Sequence, residues 1–338
     1  MSSDRSISEA AQNQVRRFCR QYLQLEQQLT YPDAQYLKED SVQEIIYQSL
    51  WGPEARHNCG SPRYQLKTLK KLVGNVEAGI EDWDKYGVHD GLMERMSELL
   101  SQPLPSELAA AQQKTYVVYT ISALDESGGR DITKASDDCP KITLLESRTI
   151  ISAQGTTGLA TWEAALHMGQ YLCSRPDYIK GKHVLELGAG TGYLSILCAQ
   201  YLGAADVLAT DGSDDVINNL PESFFLNGLQ GSTKATVAGL KWGHALIGTE
   251  ESKWRGGRPV DIVLGADITY DGSVIPLLIA TFTDLVDLFP HVVILVAATE
   301  RNRTTFEKFM TSASRSGFTV EEITFPLTPR ENEDKYIV

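Results

Sequence analysis

KHVLELGAGTGYL, residues 182–194, decides how the rest of the chain is read. His183-Val184-Leu185-Glu186-Leu187 has the apolar character of a buried strand and runs into Gly188-Ala189-Gly190-Thr191-Gly192. A helical pattern starts at Tyr193. Glycines at alternate positions let the backbone turn sharply and approach a ligand with no Cβ atoms in the way. The first turn of the helix that follows leaves N–H groups free to face that ligand. Strand, glycine turn and helix together form a seat for a nucleotide-like cofactor.

Around this stretch the chain alternates between two periods. A helical stripe over Gly158–Leu172 precedes it, with Leu159, Trp162, Leu166, Met168 and Leu172 near one face. Strands are expected near residues 182–187, 205–210, 235–240, 260–265 and 291–298, and helices near 192–202, 214–227, 273–288 and 303–316. A strand at Phe318–Phe325 and a short one at Lys335–Val338 close the series. Alternating strand and helix implies an α/β fold with a mostly parallel sheet covered on both faces. The unbroken apolar runs Ile262-Val263-Leu264 and Val292–Val296 suit strands buried on both sides. The polar insert Gly248–Arg258 reads as a loop.

The N-terminal third has another character. Stripes at helical spacing run through Val15, Phe18, Cys19, Tyr22, Leu25 and Leu29 within a helix expected over about residues 8–30, and again through Val42, Ile45, Ile46 and Leu50. Ser61-Pro62 has the form of a cap and first helical residue ahead of Leu69, Leu72, Val73 and Val76. Leu92, Met96 and Leu99 mark a fourth helix. TYVVYTISA from Thr115 and ITLLESRTIIS from Ile142 are rich in β-branched residues and read as two strands around a polar loop, Asp125–Lys141. The expected organisation is a helical N-terminal domain over residues 1–112, a connecting β-hairpin over 113–153 and a cofactor-binding domain over 154–338.

Composition narrows the function classes. The 338 residues carry a net charge of -13, which argues against a protein that coats nucleic acid or an anionic membrane. The five cysteines form no C-x-x-C pair, so neither a zinc site nor a disulfide framework is expected, and no metal site is assigned. The N-terminus lacks the apolar core of a signal peptide, and no apolar run reaches the ~18 residues of a membrane span. A cytoplasmic location is the expectation.

Residues that could carry chemistry sit where strands end, because ligands of open parallel sheets bind past the carboxyl ends of the strands. Asp211 closes the second strand of the series about twenty residues after the glycines, where an acid accepts the hydroxyls of a ribose; its alternative is a turn former or helix cap. Trp242, in Gly239-Leu240-Lys241-Trp242-Gly243, either lies beside an adenine or fills core. Gly265-Ala266-Asp267-Ile268-Thr269-Tyr270-Asp271 places a carboxylate and a phenol above the sheet. Glu186 is an acid within an apolar strand, and burial there calls for a cation or several donors. A cofactor bearing positive charge, such as S-adenosylmethionine, meets that need. A nicotinamide cofactor would call for G-x-G-x-x-G, whereas the spacing here is G-x-G-x-G with an acid two residues earlier.

ELGAGTG, ATDGS, LKWG and GADITYD together resemble the class I, seven-stranded S-adenosylmethionine-dependent methyltransferases, and GADITYD looks like the D-x-x-Y signature of their lysine-targeting branch. SRTIISAQGTTGLATWEAAL, from Ser147 to Leu166, is similar to the elongation factor 2 lysine methyltransferases. That resemblance implies a Rossmann-like, seven-stranded, mostly parallel sheet with helices on both faces after a small α-helical domain. It implies that Trp162 lines the cofactor site, that Gly188, Ala189 and Gly190 turn over the methionine moiety, and that Asp211 binds the ribose. Trp242 and Ala266 would flank the adenine, with Asp267 and Tyr270 beside the target lysine as catalytic residues. The implied activity is protein-lysine N-methylation of translation elongation factor 2 by a monomer, the helical domain helping to hold the protein substrate. Another protein lysine as target, a non-catalytic adaptor and an NAD-dependent dehydrogenase are the alternatives.

Overall fold

The computed structural model describes residues 7–55, 60–103, 113–124, 139–147, 158–244, 246 and 259–326. They fall into two compact units, the first running to Thr143 and the second from Leu144.

The first unit opens with five helices: α1 (Glu9–Leu23), α2 (Ala34–Leu37), α3 (Asp40–Leu50), α4 (Pro62–Gly79) and α5 (Asp90–Ser101). Their starts follow local chemistry. Ser8 Oγ accepts the Ala11 amide ahead of α1 at 3.3 Å. Ser61 Oγ accepts the Tyr64 amide at 3.3 Å, with Pro62 as the first helical residue of α4, which has no amide to leave unpaired. The helix expected to reach residue 30 ends instead at Leu23, because Leu25 adopts a left-handed backbone with φ of 55° that no α-helix continues through. The apolar stripes meet in one core of Phe18, Tyr22, Leu37, Ile46, Trp51, Leu69, Leu72 and Leu92, all fully buried. Strands β1 (Thr115–Thr120) and β2 (Lys141–Glu146) pair as a two-stranded sheet, and the boundary between the units falls within β2.

In the second unit, α6 (Glu163–Ser174) leads into β3 (His183–Leu187), α7 (Tyr193–Gln200), β4 (Asp206–Asp211), α8 (Asp214–Leu226) and β5 (Ala235–Gly239). Then come β6 (Ile262–Ala266), α9 (Ile275–Leu288), β7 (Val293–Ala297) and α10 (Arg303–Arg315). The strands lie in the order β5-β4-β3-β6-β7, and every pairing is parallel. This is a Rossmann-like sheet. The chain winds outward from β3 through β4 to β5, then returns to the far side of β3 with β6. Such a reversal opens a crevice above the carboxyl ends of the two central strands. Leu185, Leu187, Val263, Leu278, Phe282 and Leu285 form the core on one face, while α7 is buried along almost its whole length.

Two local expectations change. The helix expected from Gly158 starts at Glu163, and Trp162 takes its N-cap position in an extended conformation, since Gly158–Ala160 form a turn. Phe318–Phe325 forms no strand. Its Phe, Thr, Val and Ile residues favour a strand, but propensity yields to packing. Phe325 instead lies against His167 and Tyr171 of α6, and its carbonyl is 3.1 Å from His167 Nε2. Among the described residues the parallel sheet therefore has five strands. Lys335–Val338, the insert Gly248–Arg258 and most of the loop Asp125–Lys141 lie outside the described residues. Among the described residues no helix is long and apolar enough to cross a membrane.

Candidate active site

A cavity of about 780 Å³ lies at the carboxyl ends of β3, β4 and β6. That is the size of a site for a drug-sized ligand. Its floor is the turn after β3. Gly188, Gly190 and Gly192 take φ of 66°, 53° and 85°, a left-handed region that side chains rarely adopt. A Cβ on Gly188 would come within 2.8 Å of Ile268 Cγ2, and one on Gly190 within 3.2 Å of the Gly158 carbonyl oxygen. The turn is therefore closely packed, with no room for a Cβ at either glycine.

Two acids reach the cavity through this turn. Asp211, at the end of β4, accepts the Gly190 amide on Oδ2 at 3.2 Å and the Ser213 amide on Oδ1 at 2.9 Å. Burial raises its pKa, while those amides pull it down. Glu186 lies inside β3 between Ala209 of β4 and Leu264 of β6 and is 3 % exposed. Ser195 Oγ donates to its carboxyl. Burial lifts the Glu186 pKa to about 8, and the nearby charge of Asp211 adds to the rise. An acid lifted so far favours a neutral carboxyl or a cation beside it.

The other wall comes from the ends of β6 and β7. Asp267 follows β6 with φ of 54° and is buried; apart from Leu25 it is the only non-glycine residue with positive φ among the described residues. Its amide donates to the Ala297 carbonyl at 2.8 Å, and its Oδ1 accepts the Thr299 amide at 2.9 Å. Its Oδ2 accepts Arg301 Nη2 at 3.0 Å. Tyr270 stands at the rim, 57 % exposed. Trp242 packs on the core of this face and borders the cavity.

All ten residues singled out from the sequence border this one cavity: Trp162, Glu186, Gly188, Ala189, Gly190, Asp211, Trp242, Ala266, Asp267 and Tyr270. The glycine turn, the deep acids and the volume fit S-adenosylmethionine, a cofactor with a cationic end and a ribose. Several lining residues were not anticipated. Thr161 and Thr191 hydrogen-bond each other at 2.7 Å, and Thr161 Oγ1 lies 2.7 Å from Glu146 Oε1 of β2. Arg301 also lines the cavity. Its signal was present in Thr299-Glu300-Arg301, charged residues at the carboxyl end of a strand. Among the described residues there is no cluster of side chains suited to a metal ion.

A family model described as lysine methyltransferase matches residues 146–316. The protein-lysine N-methyltransferase EFM3 of Chaetomium thermophilum is 54% identical over 320 residues, covering 95% of this chain and 93% of that protein. The human protein-lysine N-methyltransferase EEF2KMT is 26% identical over 288 residues, covering 82% of this chain and 77% of its own length. The mouse EEF1A lysine methyltransferase 3 is 36% identical over 143 residues, covering 41% of this chain and 55% of its own.

Proposed function

The chain belongs to the lysine methyltransferase family and is an S-adenosylmethionine-dependent protein-lysine N-methyltransferase; from that premise we propose that its substrate is a lysine of translation elongation factor 2, modified in the cytoplasm by a monomeric enzyme. The observation that carries the proposal is the similarity of residues 147–166 to the elongation factor 2 lysine methyltransferases, joined by a human relative that bears the name EEF2KMT. The mouse relative named for EEF1A supports a second reading, in which the target lysine lies on that factor.

The site residues divide into two sets. Gly188, Ala189, Gly190, Trp162 and Glu186 would hold the methionine end of the cofactor, Glu186 matching its positive charge. Asp211 would accept the ribose hydroxyls, and Trp242 and Ala266 would flank the adenine. When bound, S-adenosylmethionine supplies a methyl group made electrophilic by the sulfonium. The chain's own task is then to exclude water and to aim the amine. A free lysine titrates near ~10.4, so the amine must lose its proton before it can attack. Asp267 and Tyr270 orient it, and the proton leaves to water past the exposed Tyr270. Both Asp267 oxygens already accept one donor each. A carboxylate oxygen has room for a second, so the acid retains capacity for the amine.

Mass spectrometry of purified elongation factor 2 after incubation with enzyme and S-adenosylmethionine tests the substrate, with EEF1A in a parallel arm. Methylation of neither factor would remove the substrate proposal. Asp267→Ala should abolish turnover with cofactor affinity retained; loss of cofactor affinity instead would move Asp267 into the cofactor set.

A further inference from the structure

We infer that Arg301 is a positioning residue of the methyl-transfer site, clamping the Asp267 carboxylate and the Trp162 ring into one fixed arrangement. The inference rests on the proposal that Asp267 aims the substrate amine.

The geometry joins three elements that meet nowhere in sequence. Arg301 Nη2 donates to Asp267 Oδ2 at 3.0 Å, in the loop after β6, and to Glu163 Oε2 at 3.2 Å, at the start of α6. Its guanidinium carbon stands 5.1 Å from the centre of the Trp162 ring, one residue before Glu163. Arg301 itself leaves the end of β7. One planar side chain thus spans the exits of β6 and β7 and the first turn of α6. Arginine suits this place because the two N–H groups of Nη2 serve two carboxylates while the flat cation lies over an indole.

Asp267 has reason to need such a clamp. Its left-handed backbone is a conformation that persists only when its surroundings over-determine it. The Ala297 carbonyl and the Thr299 amide fix its backbone and Oδ1 from β7 and the loop beyond. Arg301 fixes the remaining oxygen. The Asp267 side chain is 7% exposed and that of Arg301 43%, so solvent reaches the pair only from the arginine side. The hydrogen bond that Arg301 donates to Asp267 raises the Arg301 pKa further, so the guanidinium stays charged at every working pH. Glu163 is 80% exposed and contributes little to the clamp. Misplacing a reacting group by about 1 Å costs on the order of a hundredfold in rate. Arg301 therefore acts on turnover through Asp267.

Four forms of the full-length enzyme test this: R301A, R301K, D267N and the double variant D267N/R301A. Each is compared for kcat and KM on the elongation factor the wild type methylates, for S-adenosylmethionine affinity by calorimetry, and for Tm. R301A should lower kcat by about tenfold or more, with cofactor affinity within about threefold and Tm little changed. R301K should recover part of the loss. Because Arg301 works through Asp267, the double variant should be no slower than D267N within about twofold. Multiplying losses in the double variant, or full kcat in R301A, would overturn the inference while leaving the role of Asp267 intact. A fully active D267N would overturn the proposed role of Asp267 itself, and the clamp with it.

Discussion

The Gly190 amide donates to Asp211 Oδ2 at 3.2 Å, so the acid that ends β4 also holds the turn that ends β3. The two lie 21 residues apart in sequence. Asp211 is thus bound to the glycine turn through one oxygen, and its other oxygen accepts the Ser213 amide. The pair explains why a glycine turn and an acid at this spacing form one device: the strands lie side by side in parallel, and their exits share one crevice.

Asp211→Asn should therefore weaken S-adenosylmethionine binding twice over, by loosening the turn and by replacing an ionised acceptor. Hydrogen bonds to charged groups are worth about 1.5–3 kcal/mol, so a loss of about ten- to a hundredfold in affinity is expected. Calorimetric titration of the purified variant measures it. An unchanged Kd would remove Asp211 from the cofactor set.

Glu186 gives the enzyme a pH dependence with a definite sign. With its pKa lifted to about 8 by burial, the folded protein keeps a proton that the unfolded chain releases near 4.5. Between those values the native state binds more protons than the unfolded state, so stability falls as pH rises through the window and levels off above about 8. The slope contributed by this group is about 1.4 kcal/mol per pH unit at most. A cationic ligand beside Glu186 favours its ionised form, so cofactor affinity should climb from pH 6 toward pH 8 with release of a proton. Glu186→Gln, uncharged and of the same shape, should flatten both dependences. Thermal melts of the cofactor-free protein across pH, with titrations in buffers of different ionisation enthalpy, check the two halves separately.

Much of this site is legible in the sequence because it is built from local signals. Strand, alternating glycines and helix are contiguous, and Asp211 follows at a spacing set by one βαβ step. What escaped depends on tertiary contacts. No local pattern tells that Arg301 reaches back to Asp267, 34 residues earlier, or to Glu163, 138 residues earlier. FTVEEITF is rich in strand-forming residues, yet Phe325 packs on α6 and the segment stays irregular. Leu25 continues the helical stripe of α1 in spacing, yet its left-handed backbone lies beyond the helix end. Periodicity reports which face is apolar, and it is silent on where a backbone turns away.

Gly188→Ala separates backbone strain from crowding. At φ of 66° any side chain carries a cost of about 1–2 kcal/mol. The added methyl would also stand 2.8 Å from Ile268 Cγ2 and 3.5 Å from Trp242, both of which line the cavity. Gly181→Ala is the control, with φ of 71° and no atom within 4 Å of the new methyl. Both variants should melt lower than the wild type. Only Gly188→Ala should lose cofactor affinity, by about tenfold or more if Ile268 must move to accommodate the methyl. Equal affinity in the two variants would mean that the turn is not the cofactor's seat.

The helical unit has its own test in Tyr22 and Trp51. Both are fully buried, with ring centres 5.1 Å apart in an edge-to-face arrangement, and Trp51 Nε1 donates to Tyr22 Oη at 3.0 Å. Edge-to-face contact alone adds about 0.5–1.5 kcal/mol beyond area burial, and Tyr22→Phe preserves it. The loss in that variant is confined to the hydroxyl, which leaves the indole N–H buried without its acceptor. A stranded buried donor costs about 1–3 kcal/mol, more than the net worth of the hydrogen bond itself. Trp51→Phe removes the donor but also leaves a void, so it should cost about 2 kcal/mol or more. In the double variant the indole donor is gone together with its acceptor, and its loss should be smaller than the sum of the two single losses by about 1 kcal/mol. Urea unfolding of the helical signal by circular dichroism yields all three values. Strict additivity would show that the hydroxyl and the indole are not coupled.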